Sequence, residues 1–223
     1  MTVIDLAQAD VRELNRTLQM AESGSFEVRH PGGAHALAAG LTRPIDVTID
    51  GHAGYYCAGM NQEGIVTVSG NVGTGVAENM MSGTVRVRGD ASQSAGATAH
   101  GGLLVIEGNT SARCGISLKG GDIVVGGSVG HMAAFMAQAG RLVVLGDAGA
   151  DLGDSLYEAQ IYVRGTVASL GADCEEKEMT ASHQEELAAL LEQAGAIADA
   201  AAFRRYGSGR NLYHFNIDNA GSY

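Results

Sequence analysis

The segment IVTVSGNVGTGVAENMMSG (residues 65–83) has features of a phosphate-binding loop, because glycines follow a β-branched run that predicts a strand. Two observations contradict a nucleotide site. The pattern GxxxxGK[ST] is absent from the sequence, and no GxGxxG motif opens a helix after a strand. The glycines of this segment therefore need another explanation.

Side chains that perform acid–base chemistry or bind metals are present but dispersed. The histidines form neither an HExxH nor an HxxxH zinc pair and are interpreted as surface or corner residues. They are His30, His35, His52, His100, His131, His183 and His214. The acids of residues 146–159 lack the spacing of a calcium-binding EF-hand and predict a polar turn. They are Asp147, Asp151, Asp154 and Glu158.

Cys174 has acidic neighbours, which disfavour a reactive thiolate, and is interpreted as an ordinary thiol. The three cysteines are too widely separated to predict a disulfide framework or a zinc site. The residues by themselves therefore predict no catalytic, cofactor-binding or metal site in this chain.

The composition is that of one large acidic domain. The chain has 223 residues, of which 45% are hydrophobic, and a formal net charge of -11. Such a charge disfavours binding to nucleic acids and to anionic membranes. The N-terminus lacks a signal-peptide pattern and no apolar run reaches about 18 residues, so we expect a cytoplasmic protein.

Seven glycines recur every nineteen residues and reveal an internal repeat. These marker glycines are Gly51, Gly70, Gly89, Gly108, Gly127, Gly146 and Gly165. A second series keeps the same interval. It consists of Gly64, Gly83, Gly102, Gly121 and Gly140. The glycine-rich segment is one unit of this array, and its glycines are expected at corners that need a positive φ or a close approach between coils.

Two aliphatic columns, four and two residues before each marker glycine, predict one short strand per repeat with one buried face. The first column is Val47, Val66, Val85, Leu104, Ile123, Leu142 and Ile161. The second column is Ile49, Val68, Val87, Ile106, Val125, Val144 and Val163. The predicted fold class is therefore all-β, a parallel β-helix (solenoid) of about seven 19-residue coils with helical arms at both ends.

Three segments organise the chain. They are an N-terminal helical arm (residues 1–24), the glycine-repeat β-helix (residues 25–174), and C-terminal helices with a tail (residues 175–223). Leucine spacing predicts the first helix near residues 8–21, and Gly32 marks a weaker extra coil.

In the C-terminal segment, Ser182 and Glu185 match a capping box at the start of an amphipathic helix. The apolar face of that helix is Leu187, Leu190, Leu191 and Ala194. A short second helix is predicted through residues 203–206, ended by the sequence GSG, and the tail of residues 210–223 shows no element.

Between the two aliphatic columns lies an outward-facing row that turns apolar along the array. Its apolar members are Val105, Val124, Val143 and Tyr162. Because large apolar patches mark contacts, either the C-terminal helix or another subunit covers this row. At one corner, Glu78 and Asn79 interrupt positions that are mostly small or apolar elsewhere. We predict that the apolar row and this corner are subunit contacts.

The coil pattern Gly-xx-Gly-xxx-Gly, as in GDAGADLG (residues 146–153), resembles the glycine-repeat (GXGXG) domain at the C-terminal end of the glutamate synthase large chain. The similarity covers residues 25–174. The strings GHAGYYCAGMNQ, GVAENMMSG, RCGISLKG, FMAQAG and GDSLYEAQIYVRG are more similar still to the stand-alone small subunits of N-methylglutamate synthases (methylamine–glutamate N-methyltransferases). The resemblance implies a right-handed β-helix.

In that family the glutamate synthase chain is divided among separate polypeptides. The resemblance implies that this chain is a non-catalytic scaffold between a class II amidotransferase-like subunit and a subunit carrying FMN and an iron–sulfur cluster. No catalytic or cofactor residue of the family lies in the β-helix, so none is transferred to this sequence. The complex would replace the ammonia of glutamate with methylamine, and this chain alone is predicted to be inactive.

Two alternatives remain open. The same β-helix occurs in subunits of formylmethanofuran dehydrogenase and formyltransferase/hydrolase complexes. Autonomous β-helix enzymes, the acyltransferases and carbonic anhydrases, also stack short coils. Their signature is an aliphatic residue every six positions, eighteen per coil, whereas this chain repeats every nineteen and has no histidine pair placed for zinc.

Overall fold

The structure, a computed structural model, describes residues 1–212. One sheet contains all the described strands in the order β1-β2-β3-β4-β5-β6-β7-β8-β9-β11-β10. The strands are β1 (Thr2–Asp5), β2 (Gly24–Arg29), β3 (Ile45–Ile49), β4 (Ile65–Val68), β5 (Thr84–Val87), β6 (Leu103–Ile106), β7 (Lys119–Val125), β8 (Ala139–Val144), β9 (Gln160–Val163), β10 (Cys174–Lys177) and β11 (Arg204–Ser208). The helices are α1 (Val11–Met20), α2 (Ala181–Ala194) and a 3₁₀ turn (Ala200–Ala202).

The predicted β-solenoid is confirmed. Strands β3 to β9 pair in parallel, and the register advances by nineteen residues at each step, so that Val66 pairs with Val85 and Val85 with Leu104. Both aliphatic columns are buried and form the continuous core of about seven coils. The right-handed winding stays a prediction of the resemblance.

The first coil departs from the repeat. β2 pairs with β3 so that Phe26 lies opposite Val47 and Val28 opposite Ile49, an offset of twenty-one residues. Gly32 lies in phase with the marker glycines, but the strand before it does not. β1, from the predicted N-terminal arm, adds one more parallel strand beside β2.

Left-handed backbone is concentrated at the corners, mostly at residues other than glycine. In the corner after Gly51, Tyr56, Ala58 and Met60 have φ values of 57°, 53° and 55°. The N–H of Ala58 donates to the coil below and that of Met60 to the coil above, at 2.8 Å in both cases. These ladder hydrogen bonds hold residues that carry a Cβ in a conformation which costs each about 1–2 kcal/mol.

The marker glycines are required for a different reason. Among them only Gly51 has a positive φ, 138°. At Gly70, a Cβ would lie 2.7 Å from the carbonyl carbon and oxygen of Gly51 in the preceding coil. Of the two predicted explanations, close approach between coils therefore applies to six of the seven positions.

Helix α1 covers the N-terminal end of the solenoid. Asp10 caps it by accepting a hydrogen bond from the N–H of Glu13 at 2.8 Å, and Leu14 and Leu18 are buried in the core. The helix is shorter than the predicted 8–21 but has the predicted apolar face. Among residues 1–212, no helix has the length and apolar character required to cross a membrane.

The predicted cap of the C-terminal helix is wrong by two residues. α2 begins after Thr180, whose hydroxyl accepts from the N–H of His183, while Nδ1 of His183 accepts from the N–H of Thr180 at 3.3 Å. Ser182 instead lies inside the helix and donates to Glu186. Histidine replaced the usual acidic partner of a capping box, so the sequence rule selected Glu185 instead.

The predicted second helix is also wrong. Residues 200–202 form a single 3₁₀ turn, and β11 follows it. β11 inserts between β9 and β10, with Tyr206 opposite Ile161 and Tyr206 buried in the core. Strand pairing with β9 overrides the local helical tendency. His214 and the tail beyond residue 212 lie outside the described residues.

Candidate subunit-contact surfaces

The apolar outward row is covered by this chain's own C-terminal segment. All four side chains, Val105, Val124, Val143 and Tyr162, are at most 4% exposed. They form a second hydrophobic cluster with residues of α2 and the 3₁₀ turn. Its other buried members are Leu103, Leu145, Leu187, Leu190, Leu191, Ala194, Ala200 and Phe203. The prediction that this row contacts another subunit is therefore wrong, because α2 occupies the face.

Arg86 lies at the end of the covered part of this face, a role that its position in the repeat did not predict. It stands in the same outward row, one coil before Val105. Its guanidinium donates to the carbonyl of Ala194 at 2.8 Å, in the last turn of α2, and lies 3.4 Å from Glu107. A cation at a helix C-terminus satisfies a free carbonyl and the helix dipole. The change from Arg86 to Val105 along the row was the sequence signal that could have predicted where the covered part of the face ends.

Glu78 and Asn79 lie on a different side of the coil, at the corner that follows Gly70. Asn79 has a φ of 55° and its Oδ1 accepts from the hydroxyl of Thr98 at 2.7 Å. Glu78 is half-buried, and its backbone carbonyl accepts from Met60 at 2.8 Å. The two predicted contact sets, the apolar row and this corner, thus do not form one surface.

A ladder of polar side chains follows the marker glycines, and the repeat pattern alone did not predict it. Each of the first six members accepts a hydrogen bond from the backbone N–H of the equivalent residue in the next coil, at 2.7–3.0 Å, and the seventh, Thr166, is the last donor. The members are His52, Asn71, Asp90, Asn109, Ser128, Asp147 and Thr166. The signal was a column with an acceptor atom in every repeat. This ladder explains the marker glycines further, because a Cβ there would overlap the accepting side chain.

Asp147 gives this ladder a dependence on pH. The N–H and hydroxyl of Thr166 donate to its Oδ1 at 2.7 and 2.9 Å, and they lower the pKa of this carboxyl below its ordinary value of 3.8. Because the folded pKa is the lower one, the carboxylate stabilises the fold above the unfolded pKa. That stabilisation is lost as the pH falls through the folded value.

We expect the Asp147→Ala variant to unfold at lower urea concentration than wild type at pH 7, and the difference to shrink below about pH 4. The Asp147→Asn variant keeps the accepting oxygen without the titration and serves as the control. Urea unfolding at pH 7 and pH 3 measures both. A difference between wild type and Asp147→Ala that is unchanged at pH 3 would contradict the proposed role of the charge.

Comparison with known proteins identifies the family. No protein-family model matches the sequence. The chain is 61% identical, over 229 residues that cover all of both chains, to the protein named "Protein GlxC" of Rhizobium meliloti (strain 1021). The chain belongs to the GlxC family. Together with the β-solenoid, this membership fits a glutamate synthase-like β-helix family.

The histidines of this GlxC-family chain are engaged separately. His30 lies 2.7 Å from Asp5, His35 stacks on Tyr55, and His131 lies 3.4 Å from Asp151. Among residues 1–212, no group of three or more His, Cys, Asp or Glu side chains is arranged to hold a metal ion.

The acids of residues 146–159 likewise have separate partners. Asp151 faces His131, Asp154 accepts from Ser155 at 2.7 Å, and Glu158 pairs with Arg210 at 2.7 Å. Their carboxylates do not converge on one point. The structure therefore places them as corner and tail contacts.

The three cysteines are all buried. Desolvation raises the pKa of the Cys57 and Cys114 thiols to about 12, and burial together with Asp173 does the same for Cys174. Thiolates are the nucleophiles and cluster ligands, so these thiols suit neither role.

Asn61 belongs to a column of buried corner residues that recur every nineteen positions, and its side chain is the one polar member. The equivalent positions hold Met80, Ala99, Leu118, Ala137 and Leu156. Its Nδ2 donates to the carbonyls of Gly64 and Ser82 at 2.8 and 3.1 Å, and its Oδ1 accepts from the N–H of Gly64 at 3.1 Å. The amide thus satisfies the buried N–H of Gly64, whereas the carbonyl of Gly64 also accepts from the N–H of Thr84 at 3.1 Å.

We expect Asn61→Ala to lower the free energy of unfolding by about 2–3 kcal/mol, because it leaves the buried N–H of Gly64 unpaired and removes three hydrogen bonds. The exposed amide of Asn79 offers a control, and Asn79→Ala should cost less than about 1 kcal/mol. Urea unfolding of the three proteins at pH 7 gives the comparison. Equal losses in both variants would show that burial of the Asn61 amide is not what matters.

Proposed function

We propose that this chain is the cytoplasmic, non-catalytic solenoid subunit of a glutamate synthase-like complex. It bridges a class II amidotransferase-like subunit and a subunit that carries FMN and an iron–sulfur cluster. The complex forms N-methylglutamate from glutamate and methylamine and releases ammonia. In this arrangement the chain holds the two catalytic subunits at a fixed separation.

The observation that carries the proposal is the 61% sequence identity to Protein GlxC over the full length of a chain that forms one continuous solenoid. Parallel strands stacked at about 4.8 Å form a stiff rod, because each coil bonds to the coils above and below it. A rod of this kind suits a spacer. The corner sequences resemble those of the small subunits of N-methylglutamate synthases, and this resemblance is the reason for proposing methylamine and glutamate as the substrates.

The cofactors are placed on a partner because this chain does not fit an iron–sulfur cluster. Such clusters need several converging thiolates. Cys57 and Cys114 are fully buried in the solenoid core, and their pKa values of about 12 disfavour ionisation. Cys174 is the first residue of strand β10, and burial raises the pKa of its thiol to about 12 as well. We propose FMN and the cluster on the neighbouring subunit.

The corner of Glu78 and Asn79 remains the proposed subunit contact. Asn79 is exposed and Glu78 is half-buried, whereas the apolar row is covered by α2. The partner-binding surface of the solenoid is therefore proposed at the corners rather than on the outer face of the strands.

The test is affinity purification of the tagged full-length chain from its native host, grown with and without methylamine, followed by mass spectrometry. We expect an amidotransferase-like chain and a yellow flavoprotein in stoichiometric amounts. The purified complex should convert glutamate and methylamine to N-methylglutamate, and this chain alone should not.

Other results would contradict the proposal. Co-purification of a formyltransferase and an amidohydrolase would indicate a one-carbon complex instead. A homotrimer with enzymatic activity of its own would indicate an autonomous enzyme. A complex that forms and turns over at the full rate without this chain would refute the scaffold role.

A further inference from the structure

The corner after Gly51 carries an exposed aromatic and methionine cluster. Tyr55, Tyr56 and Met60 are 52%, 50% and 56% exposed, respectively. Tyrosine and methionine are enriched in protein–protein interfaces, and contiguous exposed apolar side chains mark contacts. We name these three residues the tyrosine corner cluster.

Two members of the tyrosine corner cluster stand at backbone positions that disfavour bulky side chains. Tyr56 and Met60 have φ values of 57° and 55°. Equivalent positions in later coils are held mostly by small or polar residues. The positions equivalent to Tyr56 hold Gly75, Ser94, Arg113, Met132 and Asp151. Those equivalent to Met60 hold Asn79, Thr98, Ser117, Met136 and Ser155. Folding therefore gains nothing from the bulk of these two side chains, which neither fill the core nor relieve the backbone.

The rings are held in place by the next coil. A Cβ at Gly73 would lie 2.7 Å from Cδ1 of Tyr55, and one at Gly75 would lie 2.9 Å from Cδ1 of Tyr56. Both rings thus lie against bare backbone. Tyr55 is held further by stacking on His35, with ring centroids 4.5 Å apart. Because the rings are already ordered, binding a partner costs little side-chain entropy.

A carboxylate borders the tyrosine corner cluster. Oε2 of Glu78 would lie 2.8 Å from a Cβ at Gly75, and Cδ1 of Tyr56 would lie 2.9 Å from the same Cβ. The carboxylate and the ring therefore lie on the same side of Gly75. Within residues 1–212 Glu78 has no ion pair. The chain carries a net charge of -11. A partner with basic side chains around an apolar pocket would complement this surface.

We infer that the tyrosine corner cluster and Glu78 form the docking surface for one catalytic subunit of the complex, whose matching surface is an apolar pocket with a basic rim. This inference rests on the proposed function. It assigns the contact to the first two coils and to particular side chains, with Tyr56 and Met60 as the anchors.

The test uses the Tyr56→Ser/Met60→Ser double variant of the full-length chain. Ser94 and Ser117 occupy the equivalent positions in other coils, so the variant should unfold at or above the wild-type urea concentration. The binding partners are the purified amidotransferase-like and flavin chains, assayed separately by calorimetry. We expect the affinity for one of them to fall at least about 30-fold, as for interface anchors.

The matched control is Met136→Ser. Met136 is exposed at the same corner position as Met60, with a φ of 53°, four coils further along. The affinity of this variant for the same chain should stay within about threefold of wild type. A third variant, Glu78→Lys, should slow association with that chain, and the effect should shrink as salt is added.

The outcomes separate this inference from the proposed function. Wild type that binds neither catalytic chain contradicts both. If the Tyr56→Ser/Met60→Ser variant binds each catalytic chain as tightly as wild type does, this inference alone is overturned. Sedimentation of the isolated chain tests whether a second copy of this chain occupies the cluster instead. If wild type is a dimer and the double variant is a monomer, the cluster is a contact between two copies, and this inference is overturned.

Discussion

Val124→Arg is expected to detach helix α2 from the solenoid. Val124 is 1% exposed and packs in the cluster that Leu187, Leu190 and Leu191 of α2 complete. A guanidinium placed there would be buried without a partner, which is among the most destabilising single changes. We expect the free energy of unfolding to fall by about 3–5 kcal/mol, or α2 to become sensitive to protease while the coils stay folded.

Thr67→Arg is the matched control for this change. Thr67 belongs to the same outward row, three coils earlier, where α2 does not reach and the side chain is half-exposed. It should alter stability by less than about 0.5 kcal/mol. Urea unfolding and limited proteolysis compare the two variants. Val124→Arg with wild-type stability and an intact α2 would contradict the covered-face assignment.

Gly146→Ala is expected to break the stacking of two adjacent coils. A Cβ there would lie 2.7 Å from the carbonyl carbon and oxygen of Gly127 and 2.6 Å from Oγ of Ser128. The backbone of the preceding coil cannot move aside without disturbing its own ladder, so we expect a loss of about 3 kcal/mol, the upper end for overpacking. Calorimetric or urea unfolding measures the change.

Gly207→Ala is the control for Gly146→Ala. It measures the cost of replacing a glycine at a position where the added Cβ meets no crowded neighbour. Gly207 lies in β11, and its nearest neighbour to a Cβ would be Cγ of Lys177 at 3.4 Å, an ordinary contact. Its φ is not positive, so alanine fits the backbone. We expect less than about 1 kcal/mol of destabilisation. Similar losses at both glycines would refute close approach as the reason for the marker series.

Stability and the proposed partner binding are assigned to different sides of the coil. The inward columns form the core and the outer face of β6 to β9 is sealed by α2, so these residues stabilise the chain. The corners keep exposed side chains at left-handed positions, which vary from coil to coil. Variation at these left-handed positions leaves the core unchanged, because the hydrogen bonds that join them to the neighbouring coils are between backbone groups.

The sequence by itself determined the solenoid. The nineteen-residue interval and the two aliphatic columns specify one strand per coil and its register, since a slip of one residue would expose every inward side chain. They specified the core just as directly, because burial follows from side-chain type at fixed positions.

Only the tertiary structure decided what covers the apolar row, where residues 204–208 pair, and why the marker glycines recur. Whether α2 or another subunit lies on Val124 depends on the path of the chain after the last coil, which local patterns do not encode. Residues 204–208 form a strand because β9 offers an open edge. Contacts between segments far apart in sequence fix these features, and such contacts appear only once the coils are stacked.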